Sequence, residues 1–154
     1  GPAAWQLAPG GGTGVNVAVL DSGLLRVLPS GNWHPDLNAN VLANTKDFVD
    51  GDNDPEDPGS SVGGDVFHGT HVAGTVAAVV NDAGSGGVAY GAGLVPVRVL
   101  GEGGTGSSAD LIAAINWLVA GSDGRPYADV VNMSLGGLPR IQDLEDAIAR
   151  GVDK

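Results

Sequence analysis

Apolar positions in this chain come in short blocks set between stretches of glycine, asparagine and aspartate, and the spacing inside each block separates strand from helix. Residues 15–20 (VNVAVL) form a β-branched run, which predicts a strand covered on both faces and therefore a parallel sheet. The run ends at Asp21, Ser22 and Gly23. Residues 24–65 are then polar, rich in Asp, Asn, Gly and Pro, and carry no sustained period, as expected of a long loop region. In residues 68–80 (HGTHVAGTVAAVV) small and apolar side chains recur at helical spacing, notably Val72, Thr75, Val76 and Val79, so a helix is predicted that packs closely on its support. A turn over 81–87 leads to a second strand, 94–100 (LVPVRVL), whose Pro96 lacks a ladder donor and is expected at a sheet edge or a bulge.

Glycines at 101, 103, 104 and 106 precede a second helix, with Leu111, Ile115, Leu118 and Val119 on one stripe and Ser107 and Asp110 spaced as a capping pair at its start. Residues 130–135 (VVNMSL) read as a third buried strand, and Ile141, Leu144, Ile148 and Val152 place an apolar stripe on a last helix. Strand and helix alternate, so the fold class is α/β. A βαβ unit that stops at its helix lacks the strand its crossover exists to deliver, so the sheet is expected to be incomplete in this chain. Either a second polypeptide or the rest of a larger protein completes it. Residues 1–14, with GGGTG at 10–14, form a flexible lead-in to the domain portion at 15–154; Gly1 and Pro2 match the scar of a removed tag and are set aside.

Composition adds three exclusions. At 154 residues, 42% hydrophobic and 16% charged, the chain buries enough apolar surface for one domain or part of one. Seven basic residues against 18 acidic ones give a net charge of -11, which repels polyanions, and no apolar stretch reaches the roughly 18 residues that span a bilayer. Neither nucleic acid nor a membrane is an expected partner. The absence of cysteine removes disulfide and thiolate chemistry.

Four groups of residues could carry chemistry. Asp21 ends the first strand, where open α/β sheets bind ligands, although a turn aspartate ahead of a glycine accounts for it equally well. His68 and His71 stand near a helix start; His68 faces the loop side and is the functional candidate, while His71 reads as structural. The HExxH pattern is absent and His34 lies in the loop beside Pro35, so zinc has little support. Residues 101–106 (GEGGTG) match a dinucleotide fingerprint formally, but the cap at Ser107 starts the helix after the last glycine and Arg98 is the one basic group nearby, which leaves nucleotide binding as an alternative. Finally, Asp47, Asp50, Asp52, Asp54, Glu56 and Asp57 crowd into eleven residues. Carboxylates at alternating positions suit a hard cation, so Asp50, Asp52, Asp54 and Asp57 are expected to hold calcium, against the plainer reading of a solvated acidic loop. Pro55 in place of the turn glycine, and no closing Glu, exclude an EF-hand.

Taken in order, VAVLDSG at 17–23, HGTHVAGTVAA at 68–78 and VVNMSLGG at 130–137 resemble the aspartate, histidine and substrate-wall segments of the subtilisin-like serine proteases, and the likeness runs from Val15 onward. The resemblance implies a three-layer fold, a mostly parallel sheet between helices. It implies that His68 takes the proton of a serine nucleophile and returns it to the leaving amine, with Asp21 holding the imidazole. The backbones of Gly104, Thr105 and Gly106 and of Ser134, Leu135 and Gly136 would sandwich a peptide or protein substrate as an added strand. A second calcium position is implied at Asp36 and Asn81, helped by the carbonyls of Ala83 and Ser85. The small Ser108 would border a distal subsite. The Gly-Thr-Ser-Met-Ala phrase that carries the family's serine, and its downstream oxyanion asparagine, do not occur in these residues. The expectation is the amino-terminal portion of a secreted, calcium-stabilised endopeptidase, inactive by itself, whose carboxy-terminal portion supplies Ser and Asn. The competing expectation is an inactive fragment or a peptide-binding or assembly module.

Overall fold

The structure, a computed structural model, describes residues 2–61, 66–137 and 140–154. In chain order the elements are α1 (Pro2–Leu7), β1 (Asn16–Asp21), β2 (Arg26–Val27), β3 (Asn32–Trp33), β4 (Lys46–Asp47), α2 (His68–Ala77), β5 (Gly93–Arg98), α3 (Ser108–Ala120), β6 (Val130–Asn132) and α4 (Gln142–Val152). One sheet runs in the order β4-β5-β1-β6 with every neighbouring pair parallel, and β2 and β3 make a small antiparallel pair. This is the α/β class that the alternation of elements predicts.

The two-residue period of a strand sorts side chains to opposite faces, and β1 and β5 show the result on both sides of the sheet. Ala18 and Leu20 join Val95, Val97 and Val99 under Leu111, Ala114, Ile115 and Leu118 of α3, with Ala147 of α4 closing that layer. Val17, Val19 and Leu94 face the other way, onto Leu24, Leu37 and the small side chains Ala73 and Ala77 of α2. Small residues on α2 let its axis come close to the sheet, as the sequence anticipates. At α3, Ser107 Oγ accepts the amide of Asp110 at 3.0 Å and donates to its carboxylate at 2.7 Å, the cap that the spacing predicts.

Several expectations are corrected in detail. Pro96 lies in an interior strand, fully buried opposite Val19, and not on an edge. By alternation along β5 its missing N–H faces the outer neighbour, whose pairing at Leu94 and again at Val97 and Arg98 is interrupted between those points, so no ladder bond is forfeited. α2 stops at Ala77 because Ala78 turns to ψ 135° and the amide of Val79 donates to the carbonyl of Asp36 at 2.8 Å. The third strand is three residues long, and the chain leaves the ladder before Met133. Among the described strands β6 pairs with β1 alone, and its Val130 and Val131 stay exposed. The lead-in is built and not loose: α1 sets Trp5 edge-on to Tyr90, with ring centroids 5.3 Å apart, and successive turns bond residues 8–15.

Arg98, at the carboxyl end of β5, is 5% exposed, and its Nη1 donates to Asp47 at 2.7 Å and to Asp50 at 2.5 Å. Burial works against the guanidinium charge, but the hydrogen bonds and charges of Asp47 and Asp50 outweigh it and hold its pKa above the ordinary arginine value. Asp47 is itself fully buried, so removing the arginine strands a carboxylate. Arg98→Met is expected to destabilise the chain by about 3–5 kcal/mol in urea unfolding. Arg140→Met, which breaks an exposed pair with Glu145, should leave the midpoint within error.

Candidate active site

Asp21 closes β1 and is 1% exposed. Its Oδ1 accepts the amide of Ser22 at 2.7 Å and lies 2.8 Å from Nδ1 of His68. An ionised carboxylate only accepts, so Nδ1 carries the proton and donates it, which leaves Nε2 as the basic nitrogen. The other carboxylate oxygen, Oδ2, has no partner among the described residues, so the imidazole and one amide carry the whole interaction. The sequence delivers the two side chains by opposite devices. A parallel strand ends in Asp21 at the sheet's carboxyl edge, and Phe67, held at φ 60°, turns the chain sharply so that His68 opens α2.

The approach is tight because residue 69 has no side chain. A Cβ on Gly69 would stand 2.3 Å from the carbonyl oxygen of Gly23 and 3.1 Å from Cβ of Asp21. Glycine here is a contact requirement, and it brings the first turn of the helix flush against the end of the strand.

His68 lines a cavity of about 430 Å³. All six residues expected to hold substrate, Gly104, Thr105, Gly106, Ser134, Leu135 and Gly136, line the same cavity, from two different strand ends. Its apolar lining includes Val99, Leu100 and Leu111. The backbone groups of Gly106 and of residues 134–136 make no backbone hydrogen bond among the described residues, so they are available to an incoming chain. The glycine cluster therefore faces the imidazole, and α3 begins beyond it at Ser108. Glu102 fixes the cluster's base: it accepts both the amide and the hydroxyl of Ser61, and those bonds, hydroxyl first, hold its carboxyl below the ordinary glutamate range.

The metal expectations divide. Asp36 and the 81–85 loop are brought together: Asp36 Oδ2 accepts the amide of Ser85 at 3.1 Å, and Asn81 Oδ1 accepts that of Ala83 at 2.9 Å. The acidic loop is different. Asp50 is committed to Arg98, Asp54 to Arg26 at 2.5 Å, Asp52 to the amide of Asp54 at 2.8 Å, and Asp57 is buried against Ser22 at 2.6 Å. A single calcium ion shared by Asp50, Asp52, Asp54 and Asp57 does not fit this geometry, because guanidinium and backbone donors already separate the four. Among the described residues no group of three or more His, Asp or Glu side chains converges to hold a metal, and His71 is exposed beside His34 in a second cavity. The partnership of Ser22 with Asp57 is what sequence reasoning missed; nothing in the spacing links a loop carboxylate to the strand end.

The Subtilase family model matches residues 12–154. The chain is 43% identical to an extracellular protease of Xanthomonas campestris over 87% of its length, which is 26% of that protein. It is 39% identical to the major intracellular serine protease of Bacillus subtilis over 92% of its length, 40% of that protein. A solved protease from Pseudoalteromonas arctica superposes with a TM-score of 0.78 at 43% identity, covering 99% of this chain and 50% of the other. The chain thus spans half or less of each of these three proteins.

Two substitutions in α2 test the close approach at the site. Gly69→Ala is expected to destabilise the chain by about 1–3 kcal/mol by overpacking. Gly74→Ala, where a Cβ meets nothing within 4 Å, should stabilise it by about 0.5–1 kcal/mol through helix propensity, both read by thermal unfolding.

Proposed function

Because this chain belongs to the subtilase family, we propose that residues 15–154 are the amino-terminal portion of a serine endopeptidase of the subtilisin type, with Asp21 and His68 as two members of its triad. The observation that carries the reading is the 2.8 Å bond from Nδ1 of His68 to Asp21, on the wall of a cavity where Gly106 and residues 134–136 make no backbone hydrogen bond among the described residues. A peptide laid between residues 104–106 and 134–136 adds as a strand, which aligns its carbonyl by main-chain bonds and leaves side chains to the pockets. Nε2 of His68 takes the proton of a serine hydroxyl as that oxygen bonds to the carbonyl carbon, and gives it to the amine as the C–N bond breaks. Asp21 holds the tautomer and stabilises the imidazolium between those two transfers.

The serine and an oxyanion-binding asparagine come from a carboxy-terminal portion of the same protease, which also covers the exposed edge of β6. Secretion is supported by the Xanthomonas relative, an extracellular protease, with the intracellular relative from Bacillus on the other side. For calcium, the fitting donors are the Asp36 carboxylate, the Asn81 amide oxygen and the carbonyls of Ala83 and Ser85, a hard, mostly neutral oxygen set. Bound there, the ion would cross-link the loop ahead of β4 to the turn after α2.

A fluorophosphonate probe should label the serine-bearing protein and leave this chain alone unlabelled. His68→Ala in the serine-bearing protein should abolish turnover, on the scale of the roughly million-fold loss that subtilisin itself suffers without its histidine. Chelation should lower the melting temperature, and Asp36→Ala should remove that response while Asp54→Ala keeps it.

A further inference from the structure

Ser22 is 7% exposed and bonds to Asp21 and to the residue that follows His68. Its amide donates to the Asp21 oxygen that receives His68, and its hydroxyl oxygen accepts the amide of Gly69, the residue after His68, at 2.9 Å. A hydroxyl has one proton to give, and an amide N–H can only donate, so the Ser22 proton has to point away from Gly69. It points to Oδ2 of Asp57, at 2.6 Å. The second oxygen of Asp57 accepts the amide of Gly59 at 2.9 Å, so both carboxylate oxygens face fixed donors. Asp57 is 5% exposed and, unlike Asp50, Asp54 and Glu56 in the same loop, forms no ion pair among the described residues. Its backbone is docked as well: Asp57 donates its amide to the carbonyl of Leu24, and Leu24 donates to that of Pro55, both at 2.9 Å.

We propose that Ser22 and Asp57 are positioning residues for the proton relay: Asp57 fixes the direction of the Ser22 hydroxyl, and Ser22 ties the first peptide of α2 to the residue beside Asp21. The inference rests on reading Asp21 and His68 as a relay. A buried carboxylate facing a hydroxyl, with no cation paired to it among the described residues, is costly to keep unless its acceptor character is needed, and here it sets the polarity of a chain of donors running Gly69, Ser22, Asp57. Asparagine is not a neutral replacement. It has one acceptor oxygen for two fixed donors, and its NH₂ group would confront either Gly59 or the Ser22 hydroxyl.

The test is the ring N–H resonance of His68 in histidine-labelled chain, observed by proton NMR, where an N–H bonded to a carboxylate lies far downfield of the amides. Asp21→Asn should abolish it. Ser22→Ala and Asp57→Asn should each lose it to exchange with water or move it towards the amide envelope, while Ser22→Thr, which restores the hydroxyl, keeps it. The resonances of His34 and His71 report whether each variant is folded. Where a deletion variant does not fold, Ser22→Thr and Asp57→Glu supply the reading, since both keep every group and Asp57→Glu displaces the carboxylate and must shift the signal. A wild-type resonance in folded Ser22→Ala and Asp57→Asn, or in Asp57→Glu, overturns the proposal and leaves the relay standing. A resonance that survives Asp21→Asn overturns the relay itself.

Discussion

The first turn of α2 lies against the carboxyl end of β1 with no side chain between them, and most of the site follows from that contact. A helix set one methyl group further from the strand would carry His68 away from Asp21, since the carbonyl of Gly23 already occupies the space a Cβ on Gly69 would need. The small faces of Ala73 and Ala77 continue the approach along the helix, so the Asp21–His68 distance and the packing of that layer have one origin. Hydrogen bonding then refines what sterics allow. One oxygen of Asp21 receives both the neighbouring amide and the imidazole, which limits the ring to a narrow range of orientation.

The acidic loop shows how a net charge of -11 is managed locally. Its carboxylates are parcelled out: Arg98 takes Asp47 and Asp50, Arg26 takes Asp54 with Glu56 further off at 3.5 Å, and the backbone amide of Asp54 takes Asp52. Arg26 also lies 4.0 Å from the centre of the Trp33 ring, so one side chain anchors both the loop and the small hairpin. Two arginines among seven basic residues thereby order a segment that composition alone marks as repulsive.

Periodicity reveals the central strands, the three long helices and the α/β class, because burial on a sheet face or helix stripe leaves a repeating trace in the sequence. Asp21 and His68 were legible as positions at the ends of such elements, and their pairing came from resemblance to a family. The glycine cluster is ambiguous in sequence, matching both a phosphate loop and a substrate wall, and its place beside His68 in one cavity, ahead of the cap at Ser107, favours the wall. Contacts between a loop and an element end leave no periodic trace, which is why Asp57 read as one more carboxylate in a cluster when its role lies with Ser22. Pro96 misled for a related reason: its tolerance depends on where an outer neighbour interrupts its pairing, a property of another segment altogether.

The order of strands also has a consequence for how such a chain acquires its shape during synthesis. β1 finds its neighbours in β5 and β6, Asn16 lying opposite Gly93 and Val17 opposite Val130, while among the described residues no strand that immediately follows β1 in sequence pairs with it. β1 therefore waits, apolar on both faces, until β5 has emerged as well. Pairing across such long intervals makes the search slow and leaves the unpartnered strand open to other chains meanwhile.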